Sequence, residues 1–193
     1  MNKKYRKEDV VALGAELIRE KGYHATGIND ILKEAGIPKG SFYNFFSTKE
    51  DFGREALQWY GHRLQRAMKG IFAQQQFTPL QRLKKFYGLL ITGNAEEDFL
   101  QGCLVNNLSI EVAGGSDLLA AEADRQFNLW IDEVTACIEE GQELGEISDR
   151  FPADQLAEFL HTAFFGAFAR MKASRDSQPL ELVFTMMFSL LTP

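Results

Sequence analysis

Residues 25–52 read ATGINDILKEAGIPKGSFYNFFSTKEDF, and the spacing within this stretch decides the fold. Ile28, Ile31, Leu32 and Ala35 recur at helical intervals and share one face. Thr26, or Gly27 beside it, suits an N-cap, and Gly36 stands where a left-handed helix stop is wanted. Ile37 supplies the apolar residue of the turn. Pro38 then opens a second helix, about residues 39–45, where its missing N–H costs nothing. That helix carries Lys39, Gly40, Ser41, Tyr43 and Asn44 among Phe42, Phe45 and Phe46. Two helices joined by a Gly-containing turn form a helix-turn-helix, whose second helix can enter the major groove of DNA. A plain helical hairpin has no need to present Lys39, Ser41, Tyr43 and Lys49 together. Tyr43 alone stays open, either as a base contact or as a half-buried aromatic.

The stretch resembles the DNA-binding domain of the tetracycline-repressor (TetR) family of bacterial regulators. The matching pieces are Arg19-Glu20-Lys21-Gly22-Tyr23, Thr26-Gly27-Ile28-Asn29-Asp30-Ile31, Ala35 to Tyr43, and Phe46 with Ser47 to Phe52. Asn44 stands where family members often have His or Tyr. An Asn there either pairs bidentately with adenine or donates to a phosphate. The resemblance implies an all-α protein of about nine helices. Residues 1–47 would form a three-helix DNA-binding domain, and residues 48–193 a ligand-binding and dimerisation domain.

The chain has 193 residues and a formal net charge of −6, which looks unsuited to a DNA binder until it is divided. Residues 1–50 hold 9 Lys/Arg against 7 Asp/Glu, and residues 51–193 hold 12 against 20. The basic share sits at the DNA end, where a local excess is sufficient if it lies on one face. Two cysteines, Cys103 and Cys137, are too few for a disulfide framework and suit a reduced cytoplasmic protein. No signal-peptide core follows the basic N-terminus, and no apolar window is long enough to span a bilayer.

A first helix over about 6–21 places Val10, Leu13, Leu17 and Ile18 inside. Lys3, Lys4 and Arg6 before it either reach phosphates or form a solvated tail. A long fourth helix starts near Ser47 or Thr48, each with a capping-box partner in Glu50 or Asp51, and runs to about Phe72. Lys49 lies in its first turn, among backbone N–H groups that favour an anion. Thr78 caps and Pro79 opens a fifth helix, reaching about Thr92. Residues 93–101 read as partly irregular, and a sixth helix starts at Gly102-Cys103. A seventh follows over about 117–144. The last two, about 153–173 and 179–191, are apolar around more of their circumference than a one-sided surface helix requires. They read as half of a dimeric four-helix interface through Phe164, Ala167, Phe168, Phe184, Met187 and Phe188, or else as completion of the monomer core.

Enzymatic constellations are scarce. There is no HExxH, no GxSxG and no phosphate-cradling loop, and the single Glu158-x-x-His161 has no second copy for a di-iron bundle. No metal or cofactor is expected. Cys103 follows Gly102 in a first helical turn, where the dipole favours a thiolate. Residues 102–111, GCLVNNLSIE, also resemble a subset of the TetR family that includes regulators of electrophile-detoxifying reductases and of acrylate use. Cys103 is thus either a reactive-thiol sensor or a small packing residue, whereas Cys137, mid-helix beside Ile138, reads as core.

The expected protein is a ligand- or electrophile-responsive repressor that binds a palindromic operator as a dimer. Its DNA contacts would be Thr26, Gly27, Lys39, Gly40, Ser41, Tyr43, Asn44 and Lys49. Its pocket, among the fourth to eighth helices, would draw on Trp59, Tyr60, Phe86, Tyr87, Cys103, Asn107, Trp130 and Phe164. The alternatives are a helical enzyme or carrier with a vestigial DNA motif, and an activator of the same fold.

Overall fold

The computed structural model describes residues 5–112 and 114–193, so Lys3 and Lys4 lie outside the described residues. Nine helices are described: α1 Lys7–Lys21, α2 Ile28–Ala35, α3 Lys39–Phe45, α4 Lys49–Phe72, α5 Pro79–Glu96, α6 Leu104–Val112, α7 Asp117–Glu143, α8 Ala153–Ser174 and α9 Gln178–Leu191. None of them is long and apolar enough to cross a membrane. They form two compact units, one drawn from Met1–Arg63 and Cys103–Phe127, the other from Leu64–Gly102 and Asn128–Pro193. The first unit thus runs past residue 48 along α4 and takes in α6.

In the first unit, α1 buries Val10, Val11, Ala15, Leu17 and Ile18, while Leu13, expected inside, points to solvent at 42% exposure. Gly14 permits a close crossing: a Cβ there would stand 2.4 Å from the Phe52 ring of α4. Gly27, not Thr26, is the N-cap of α2, and its N–H donates to Asp30 Oδ2 at 2.7 Å. Gly36 stops the helix in the left-handed conformation at φ 63°, where a side chain would be strained. Pro38 is the N-cap of α3, and its carbonyl accepts from Ser41 N at 2.9 Å. Phe42, Phe46 and Phe52 close on one another with ring centroids 5.0–5.7 Å apart and at most 2% exposure. Each such ring contributes roughly 1.5–3 kcal/mol. This aromatic plug fixes the roll of α3, so Tyr43 and Asn44 face outward.

The second unit is built on α5, α8 and α9. Thr78 and Gln81 form the reciprocal capping box that starts α5. The helix continues past Thr92 to Glu96, and Asp98 and Phe99 then turn the chain with positive φ. Leu83, Leu160, Phe164, Met171, Leu180 and Leu191 are fully closed from solvent. Arg82 is buried among them, donating to the Phe72 carbonyl and pairing with Glu140. The charge therefore has a carboxylate and a carbonyl as partners, while its Nε is buried without one.

Candidate nucleic-acid interface and effector cavity

The outward side of α3 and the start of α2 and α4 line one open cleft, formed by Gly27, Ile28, Asn29, Asp30, Lys39, Tyr43 and Lys49. Four of the eight expected DNA contacts meet there. Lys39 lies 6.0 Å from the Tyr43 ring centroid, and Tyr43 is 48% exposed. Gly40 and Asn44 are exposed beside them, and Ser41 is half-buried. Ile28, Asn29 and Asp30 were not among the expected contacts; Ile28 was expected on the buried face of α2 and is half-buried.

One expected contact needs correction, and another is partly engaged within the protein. Thr26 is fully buried, and its hydroxyl donates to the Gly22 carbonyl at 2.7 Å. Its side chain holds the α1–α2 turn and cannot meet DNA. Lys49 lines the cleft but already donates to the Tyr23 carbonyl at 2.6 Å. Burial pulls its pKa down, against the upward pull of Glu111 and Asp30. Its remaining two protons are what it can offer to a phosphate. Arg6 is exposed and pairs with Glu8 at 3.7 Å.

A second feature lies wholly in the other unit. Leu64, Met68, Phe86, Tyr87, Leu90, Trp130, Val134, His161 and Phe165 line an apolar cavity. Of the expected pocket residues, Phe86, Tyr87 and Trp130 belong to it. Phe164 is packed behind, 4.9 Å from the Tyr87 ring. The space open to a water-sized molecule is about 10 Å³, room for about one water. His161 stacks on Phe165 at 4.2 Å, and burial lowers its pKa to about 4. The imidazole is therefore neutral at pH 7 and is the cavity's one nitrogen heterocycle able both to donate and to accept. Glu158 is exposed and accepts from Thr162, and among the described residues no group of three or more His, Cys, Asp or Glu forms around the Glu-x-x-His pair.

Tyr60, Cys103, Trp59 and Asn107 belong to the first unit. Trp59 stacks under the Arg63 guanidinium at 5.7 Å, and Asn107 N donates to the Cys103 carbonyl. The low thiol pKa expected of Cys103 is not found. Cys103 is only 4% exposed, and burial pushes its thiol up to about 11. The N–H groups of Asn106 and Val105, the Tyr60 hydroxyl and the Arg19 charge all pull the other way but are outweighed. Cys137 is buried as expected, its thiol pushed up to about 12, chiefly by burial.

The residues expected at a dimer interface are mostly inside the single chain. Phe164, Ala167, Phe168, Met187 and Phe188 are at most 6% exposed within a single chain. They fill their own core and have no surface left for a partner; Phe184 is half-buried beside Phe188. The apolar residues left outside are Phe159 on α8 and Leu182 and Met186 on α9, at 55%, 62% and 63%. Gly166 adds a bare position to the α8 stripe, with nothing within 4 Å of where a Cβ would be.

A profile of bacterial regulatory proteins of the tetR family matches residues 10–56, and one of tetracyclin repressor-like C-terminal domains matches residues 79–187. The chain is 36% identical to the HTH-type transcriptional repressor DhaR of Mycobacterium sp. (strain GP1), over 97% of this chain and 92% of that one. It is 34% identical to the transcriptional regulator AcuR of Cereibacter sphaeroides, over 90% and 79%. The crystal structure of a regulatory protein TetR from Rhodobacter sphaeroides superposes with a TM-score of 0.92 at 31% identity, covering 98% of this chain and 100% of that one.

Proposed function

Because the chain belongs to the tetracycline-repressor (TetR) family of DNA-binding transcription regulators, we propose that it is a dimeric repressor released from a palindromic operator by a small molecule. Residues 1–47 serve as the reading head and residues 48–193 as the effector and dimerisation part. The observation that carries the reading is the α3 cleft. Phe42 locks the helix inward, and Lys39, Tyr43 and Asn44 are left facing out at one corner with Gly27 and Lys49. Lys39 and Lys49 fit phosphates, while Tyr43 and Asn44 fit base edges.

The test is an electrophoretic shift with DNA from upstream of the protein's own gene. One palindrome should be bound, its half-sites about one helical turn (~34–36 Å) or slightly more apart. Lys39→Ala should weaken every duplex alike and lower the salt slope by about one. Failure to select any palindrome over random duplex would overturn the reading.

The effector is a small, uncharged, largely aromatic or apolar molecule held among Phe86, Tyr87, Trp130 and His161. With space for about one water, it enters only by moving side chains. A ligand that favours the opened arrangement draws the population toward it. In that state the two reading heads are spaced wrongly for the operator.

A second reading rests on Cys103. Burial is the one cause that raises its thiol pKa, while four neighbouring groups pull it down. A local opening that admitted water would remove the raising cause and leave the Tyr60 hydroxyl and Arg19 charge in place. Brief alkylation read by mass spectrometry should then label Cys103 before Cys137, and Tyr60→Phe should slow it. Equal labelling of the two thiols would leave the reversible ligand alone.

A further inference from the structure

The turn between α1 and α2 is gripped from two sides. From α6, Glu111 accepts two consecutive backbone N–H groups, Tyr23 N to Oε2 at 2.8 Å and His24 N to Oε1 at 2.6 Å. From the first turn of α4, Lys49 donates to the Tyr23 carbonyl and lies 4.3 Å from the Tyr23 ring centroid. Gly22, at φ 93°, brings the backbone under the same carboxylate, where a Cβ would stand 3.2 Å from Glu111 Oε2. Ser116, just beyond α6, donates to Glu50 in the first turn of α4. One turn of the reading head is thereby tied to the start of α4 and the end of α6.

The carboxylate is out of place as a support for α1. It sits at that helix's C-terminus, where the macrodipole favours cations and where Arg19 and Lys21 already stand. Tyr23 and His24 lie beyond the last turn of α1, Tyr23 buried and His24 exposed, so water could satisfy the His24 amide but the Tyr23 amide needs a partner from the protein. Glu111 makes two charge-assisted bonds to them, which hold direction as well as distance.

We infer that Glu111 is a positioning residue for DNA binding: its carboxylate clamps the α1–α2 turn to α6, so that the attitude of the reading head follows that helix. The inference rests on the DNA-binding reading above. Glu111 reaches the cleft through this turn and through its charge beside Lys49, which favours the Lys49 ammonium; the geometric part of its effect is the part that separates palindrome from random duplex.

The experiment compares the full-length wild type with Glu111→Gln and Glu111→Ala. It reads affinity for the selected palindrome, affinity for random duplex, and amide hydrogen exchange at Tyr23 and His24. Glu111→Ala should lose about tenfold or more in palindrome affinity and lose none of its random-duplex affinity, since it removes a negative charge near the cleft. Exchange at the two amides should rise at least about tenfold. Glu111→Gln keeps the shape and one neutral acceptor oxygen, so it should fall between on each readout, and it carries the test if the alanine variant folds poorly. If exchange rises in both variants while palindrome affinity stays at the wild-type value, the clamp does not position the head and the inference is wrong. Equal losses on palindrome and random duplex would also overturn it. A wild type that selects no palindrome would instead sink the DNA-binding reading itself.

Discussion

A chain carrying both Phe159→Glu and Met186→Glu is expected to sediment as a monomer at micromolar concentration and to lose specific operator binding. Both side chains are more than half exposed in the single chain, so the charges cost the folded monomer little. Placed in a closed apolar interface they would be buried without partners, and a buried unpaired charge costs several kcal/mol. A dimer binds a palindrome because the second head docks at an effective concentration set by the first. Losing that linkage reduces affinity by about 10²–10⁴-fold. Non-specific binding, which each head makes through phosphate contacts, should survive. Analytical ultracentrifugation with the electrophoretic shift measures both quantities on one sample. A double variant that stays dimeric, or that binds the palindrome tightly as a monomer, would refute the interface. Charges at Phe168 or Phe188 offer no such test, because those rings lie inside the protomer and the variants should unfold.

The burial of the residues expected at the interface shows where reading a sequence stops. The helix-turn-helix was legible because its determinants are local: Gly36 at φ 63°, Gly27 and Asp30 at the start of α2, and a phenylalanine spacing that only one roll of α3 can bury. The helices α8 and α9 are apolar nearly all round, so their periodicity does not say which side faces the chain's own core. Tyr87 on α5 decides it, taking Phe164 and Phe188 as ring partners and leaving Phe159 outside. Cys103 is the same lesson in electrostatics. Its place at a helix start was visible, but the burial that outweighs the helix start was not. Glu111 gave no signal at all, because its partners Tyr23 and His24 precede it by 88 and 87 residues. Of the two cap candidates Gly27 took the position, and the Thr26 hydroxyl turned back to the Gly22 carbonyl.

The cavity carries the last prediction, through His161. An ordinary histidine titrates near ~6.5, and here burial among Trp130, Phe165 and their neighbours lowers the folded value to about 4. As pH falls below ~6.5, the unfolded chain takes up a proton that the native state refuses until about 4. The stabilising contribution is therefore complete above ~6.5 and is lost progressively on the way down to about 4. At about 1.4 kcal/mol per pKa unit, that window is worth about 3 kcal/mol. Urea unfolding at a series of pH values measures it, with His161→Leu as the comparison. The leucine variant keeps an apolar side chain of similar bulk, and carboxylates elsewhere titrate alike in both proteins. The difference between the two stability curves should therefore be flat above ~6.5 and change by about 3 kcal/mol down to pH 4. Parallel curves through that range would mean the imidazole is not held neutral by the cavity. The same protonation state bears on the effector, because only a neutral imidazole offers both a donor and an acceptor. A cationic ligand would have to lose its hydration against aromatic and aliphatic walls with no carboxylate among the lining residues. Binding that depends on His161 should accordingly weaken as pH approaches 4, in step with the loss of stability.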